Sequence, residues 1–179
     1  MSDKRLGYVN VIDAIKRATS AAVIDTTSKP SYSPDRINGQ AGLSNDDRMA
    51  LDMMVHAKLH RELDAVLWHA LVAKYSACSK SKAKALEQLL PVIVSPADAR
   101  FTRHAAVAWS FPKPKGRDGK RSTAVLPAYW YDFNYWDTEG RSDTTRRRWN
   151  KVIQRWLNDV VNSGLVEVQH ILDEEELII

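Results

Sequence analysis

The chain has 179 residues, 44% hydrophobic and 27% charged, a composition that fits one globular domain or two small ones and excludes a disordered tail or a large multidomain assembly. Its 26 basic and 22 acidic residues leave +4, with a pI of about 9.2, a weak bias toward anionic partners. One cysteine, Cys78, excludes an internal disulfide and a thiolate-rich zinc site, and no run approaches the ~20 apolar residues of a membrane span. Met1–Leu6 is charged and runs into an amphipathic segment, without the apolar stretch of a secretory signal, so a cytoplasmic protein with no membrane partner is expected. The seven glycines form neither a phosphate loop nor a dinucleotide fingerprint.

In chain order, Val9, Ile12, Ile15, Ala18 and Ala22 recur at the helical period and predict a short helix over Tyr8–Ala22. Asp25–Leu43 has the proline, glycine and hydroxyl content of a loop and reads as a linker or an ordered arm. Ser44, with Asp46 and Asp47 behind it, is a helix cap. From there one principal core helix is expected to about Tyr75, with an apolar stripe of Leu51, Met54, Val55, Leu59, Leu63, Val66, Leu67, Ala70 and Leu71. After a turn at Cys78–Lys80, Ser81 or Lys82 opens a helix that Pro91 closes. Ser95 as cap and Pro96 at the first helical position predict another to about Trp109.

Phe111–Ser122 is an exposed basic loop, and the aromatic-dense Ala124–Trp136 reads as irregular or short strand. Asp143 or Thr144 caps a last long helix, with Trp149, Val152, Ile153, Trp156, Leu157 and Val160 on one face and Gly164 as its stop. The tail Leu165–Ile179 is expected to form one more helix. The chain therefore reads as mainly α: an N-terminal helix and arm (1–43), a helical core (44–110), and a part with basic loop, aromatic segment and C-terminal helices (111–179).

Few residues suggest catalysis. Asp52, His56, His60 and Asp64 are each four apart, so on one continuous helix two imidazoles and a carboxylate could reach one metal. Ala57 follows His56 where a metalloprotease helix needs glutamate, and the row reads as a solvated flank without metal. Cys78 lies beside lysines but has no histidine nearby in sequence, and there is no GxSxG elbow. No enzyme and no cofactor is expected, a metal-dependent enzyme on His56 and His60 being the minor alternative.

The basic residues are unevenly spread, with net +6 over residues 101–159 and −5 over 160–179. Two short helices after a support helix have the layout of a helix-turn-helix, whose second helix enters the major groove of duplex DNA. Arg100, Thr102, Arg103 and His104 would then reach phosphates or base edges, joined by Lys80, Lys82 and Lys84 of the preceding helix, while Ala105, Ala106, Val107 and Trp109 pack inward. A plain helical bundle gives the same pattern. Arg147, Lys151 and Arg155 form one line on the last helix, next to Arg148, and such a line can track a phosphate backbone. Lys113, Lys115, Arg117, Lys120 and Arg121 of the loop extend the surface toward nucleic acid or a polymerase. The alternative is an intramolecular face in which the arginines pair with Asp173–Glu176. The aromatic run Tyr129–Trp136 could stack single-stranded bases and is read as core.

The stretches GYVNVIDAI, SYSPDRINGQAGLS, LHRELDAVLWHALVAKYS and LPAYWYDFNYWD…TRRRW resemble prophage proteins related to the late-gene transcription antitermination proteins of temperate phages. The matching layout covers about Ser44–Trp109, through the WHALVAKYS end of a support helix and the KSKAKALEQLL helix after it. The resemblance implies a helical bundle with a helix-turn-helix unit similar to the promoter-binding region of sigma factors. It also implies binding to double-stranded DNA near a late promoter and an action on host RNA polymerase that carries it through terminators. Some members of that group use a zinc site, which one cysteine cannot supply in cysteine-based form. The competing expectation is a phage-encoded inhibitor that binds a host protein through the aromatic and acidic C-terminal part.

Overall fold

The computed structural model describes residues 7–21, 44–113 and 126–178. Among them the chain is helical, with seven α-helices and no strand. An isolated parallel bridge joins Tyr8 to Ile178, and the Tyr8 N–H donates to the Leu177 carbonyl at 2.7 Å, so the two ends of the described chain meet. No helix of the described residues is long and apolar enough to cross a membrane.

Helix α1 (Val11–Ala21) buries Ile15 and Ala18 of the expected stripe together with Val11 and Ala14, whereas Val9 and Ile12 of that stripe are exposed. Helix α2 (Asn45–Glu62) opens with a capping box in which Ser44 Oγ accepts from the Asp47 N–H and the Asp47 carboxylate accepts from the Ser44 N–H. The single long helix expected to Tyr75 is in fact two. Leu63 is extended, and Asp64 accepts from the Val66 N–H at 2.8 Å to start α3 (Ala65–Tyr75) afresh. Of the expected stripe Val55, Leu59, Leu63, Ala70 and Leu71 are buried and Trp68 joins them, whereas Met54 is exposed.

Helix α4 (Ser79–Leu89) ends in a 3₁₀ turn at Leu90–Val92. Helix α5 (Ala99–Ser110) starts later than Ser95 and Pro96 suggested, because Asp98 is the cap and accepts from the Phe101 N–H at 2.9 Å. Ser95 instead steers the approach, its Oγ accepting from the Ala97 N–H and from the Thr102 hydroxyl. As expected, Ala105, Ala106 and Trp109 face inward. In the described part of the aromatic segment no strand forms: Ala128–Tyr131 is a 3₁₀ turn and Phe133–Trp136 is the single turn α6.

Helix α7 runs unbroken over Asp143–Glu174, capped by Ser142 rather than Asp143 or Thr144. Gly164 is no stop, and the acidic tail continues the same helix to Glu174. A Cβ at Gly164 would lie 3.1 Å from Leu71 Cγ, so the glycine leaves room for a side chain of α3 against α7. One cluster of buried side chains, Ile15, Leu59, Leu71, Leu89, Phe101, Trp136 and Leu157 among them, draws on all seven helices. The segments 1–43, 44–110 and 111–179 therefore share one core through their described residues. Each such side chain contributes about 1.5–3 kcal/mol by leaving water. Beneath α1, Asp52 is fully buried and accepts from the Tyr8 hydroxyl at 2.8 Å and from Arg17.

Candidate nucleic-acid interface

Helices α4, α5 and the first half of α7 carry the cations expected to meet nucleic acid, and the fold divides them into two groups. On α4, Lys80 and Lys84 are one turn apart and exposed. Lys82 lies toward the interior, where its Nζ donates to the Ser110 carbonyl at 2.8 Å and the Lys74 carbonyl at 3.3 Å. Those oxygens belong to the last turns of α5 and α3, where carbonyls lack helical partners, so the ammonium caps two helices at once. Burial, and then the neighbouring Lys74 charge, push its pKa down.

On α5 the aromatic turn leans against the residues expected to read DNA. Arg100 Nη2 donates to the Tyr135 carbonyl at 3.0 Å, and its guanidinium lies 5.1 Å from the centre of the Tyr135 ring. Thr102 is buried with its hydroxyl on Ser95. His104 is buried 4.6 Å from Trp130, with Nδ1 on the Arg100 carbonyl at 2.8 Å. Arg103 points to solvent and makes no ion pair among the described residues. The aromatic run is core at Trp136 and surface at Tyr129 and Tyr135, which are 46% and 43% exposed.

At the start of α7, Arg146 turns inward to Asp137 at 2.8 Å. Arg147, Lys151 and Arg155 form the exposed line their spacing predicts, and Arg148 is exposed beside it. Arg147 pairs with Asp143 at 2.7 Å, an exposed i,i+4 contact of little energy; Arg148, Lys151 and Arg155 make no ion pair among the described residues. Among the described residues none of these arginines pairs with the acidic tail. Arg155 and Asp173 sit on one unbroken helix, about 27 Å apart along its axis at 1.5 Å per residue. In the tail, Glu175 instead pairs with Lys58 of α2. Lys113 places its Nζ 4.8 Å over the Tyr131 ring. Lys115, Arg117, Lys120 and Arg121 lie outside the described residues.

The row of Asp52, His56, His60 and Asp64 does not converge. Asp52 faces Tyr8 and Arg17, and Asp64 caps α3. The His56 and His60 rings stack 6.2 Å apart, and both meet Trp68 edge-on. With His69 and Lys84 they line a cavity of about 540 Å³ between α2, α3 and α4. Burial, and then the nearby His60, lower the pKa of His56 and of His69. Among the described residues no group of three histidine, cysteine or acidic side chains is placed to hold a metal ion.

Reading the sequence passed over Asn150 and Gln154, which line a second cavity beside the arginine line. Their i,i+4 spacing one row from Arg147 and Lys151 was the available signal. Comparison of the chain with protein-family models, curated proteins and solved structures gives no match.

Proposed function

We propose that the protein is a DNA-binding transcription regulator that acts on RNA polymerase as an antitermination factor, without catalysis of its own. The observation that carries the reading is the exposed line Arg147, Lys151 and Arg155 with Arg148 beside it, of which three residues have no acidic partner among the described residues. Exposed cations without an acidic partner have no ion pair to break when they meet a phosphate backbone, and they gain from counterion release. Lys80, Lys84 and Arg103 are exposed cations on α4 and α5, the two helices that would form the helix-turn-helix unit. In this reading Arg103 enters the groove and Lys80 and Lys84 meet phosphates, while Lys82, Arg100, Thr102 and His104 hold the unit together. The resemblance to phage antitermination proteins supplies the polymerase partner. Binding of the purified protein to duplex fragments from around its own gene, in a salt series with and without polymerase, tests this. Saturable binding that weakens steeply with salt is expected, and no binding in any condition overturns it.

A second reading, an inhibitor of a host protein, draws on the exposed Tyr129 and Tyr135 beside Arg100, residue types that carry binding energy at protein interfaces. Charge reversal at Arg103 and Lys151 discriminates the two. It abolishes activity in the first reading and spares it in the second.

A further inference from the structure

The face of α7 next to the arginine line carries chemistry of a different kind. At 3.6 residues per turn, the row Asn150–Gln154 lies about 80° around the helix from the row Arg147–Lys151–Arg155. The two carboxamides border a cavity of about 380 Å³ between the end of α5, the aromatic turn and α7. That volume lies at the lower end of the roughly 300–1,000 Å³ of small-ligand sites. Tyr131, Phe133 and Trp136 supply its apolar lining, and Lys113 stands at the Tyr131 ring. Tyr131 is held by its hydroxyl, which donates to the Phe111 carbonyl at 2.7 Å, so the ring is fixed before anything binds. Gln154 Nε2 reaches Asn150 Oδ1 at 3.4 Å, a long contact that a better partner would readily replace.

Three properties thus adjoin on α7: aromatic walls, two amides that each offer donors and an acceptor, and a row of cations on the next face of the helix. A π-face, a donor–acceptor edge and an adjacent phosphate are together the chemistry of a nucleotide. We propose that this pocket receives an unpaired base of a single-stranded nucleic acid, packed against Tyr131 and Phe133 and read by Asn150 and Gln154, with its flanking phosphates on Lys151 and Arg155. The proposal rests on the nucleic-acid reading above and adds a strand-separated target to it.

The test compares three ligands of one sequence by fluorescence anisotropy: a short single-stranded oligonucleotide, the same strand with abasic sites, and the duplex. The full chain is expected to bind the base-containing strand about tenfold tighter than the abasic one. Asn150→Ala with Gln154→Ala removes that preference and leaves duplex affinity unchanged. Lys113→Gln, outside the core, serves as a second variant and weakens the same preference. Equal affinity for the intact and abasic strands overturns the pocket proposal while leaving duplex binding standing. If neither strand nor duplex binds, the nucleic-acid function falls, and titration with a free mononucleotide then decides the pocket. Shifts of the Asn150 and Gln154 side-chain amide resonances support it, and their absence overturns it.

Discussion

Arg146 Nε donates to Asp137 Oδ2 at 2.8 Å, and this pair fastens the first turn of α7 to the end of the aromatic turn. Asp137 also accepts from the Glu139 N–H at 2.9 Å and the Arg141 N–H at 2.6 Å. Burial by itself would raise its pKa, but the Glu139 N–H, the Arg146 guanidinium and the Arg141 N–H outweigh it, and the carboxyl titrates below its ordinary value. A carboxyl with a depressed folded-state pKa contributes stability above the unfolded value and loses it as pH falls through the folded one. Asp137→Asn should therefore lower the melting temperature at pH 7, and the gap to the parent protein should close below about pH 4. Thermal melts of both proteins across that range check this, and a gap independent of pH would contradict it.

His56 and His69 have the opposite linkage. Both imidazoles are held neutral by burial and by the adjacent His60. The unfolded chain then takes up protons at a higher pH than the folded one, so stability declines as pH falls below the ordinary histidine value of about 6.5. Chemical denaturation at pH 7.5 and 5.5 should show lower stability at the acid pH. His56→Gln should shrink that loss, and an unchanged difference would count against the assignment.

Lys82 and its neighbours on α4 are expected to separate stability from binding. Lys82→Met removes the donor to the Ser110 and Lys74 carbonyls and should cost about 1–2 kcal/mol of stability with little effect on duplex affinity. Reversing Lys80 and Lys84 to glutamate should do the converse, because both side chains are exposed. Equilibrium denaturation and binding measured on the same preparations give both quantities.

Gly164 carries a packing prediction. Its missing side chain leaves room for Leu71, and an added Cβ would lie 3.1 Å from Leu71 Cδ1. Gly164→Leu should overpack this crossing and cost about 1–3 kcal/mol. Combining it with Leu71→Ala should recover part of the loss, since the two changes share one space. Strict additivity of the two single changes would contradict the close approach.

Helical period made the amphipathic elements legible, since α1, α5 and α7 repeat it over enough residues to define a buried side. It hid the break at Leu63, because the apolar residues continue in phase through it and the signal was only Asp64 ahead of Ala65 and Val66. Gly164 was read by its usual role at a helix end, whereas here its role is to admit Leu71 from another helix. The basic residues were legible as charge but not as direction. Lys82 and His104 are turned inward by Ser110 and Trp130, and Arg100 is held at the surface by Tyr135, each partner more than twenty residues away in sequence. Spacing within one helix carries no information about such partners, and the pocket at Asn150 and Gln154 escaped for the same reason.

Binding of a phosphate backbone by the exposed cations of α7 is central to the proposed function. The most direct measurement is duplex affinity against salt concentration for the parent chain and for the triple variant Arg147→Glu, Lys151→Glu, Arg155→Glu. A steep inverse salt dependence is predicted for the parent, and for the variant a weaker affinity with a slope shallower by about 0.9 for each phosphate that it no longer neutralises. Equal affinity and equal slope in the two proteins, both shown to be folded, would contradict it.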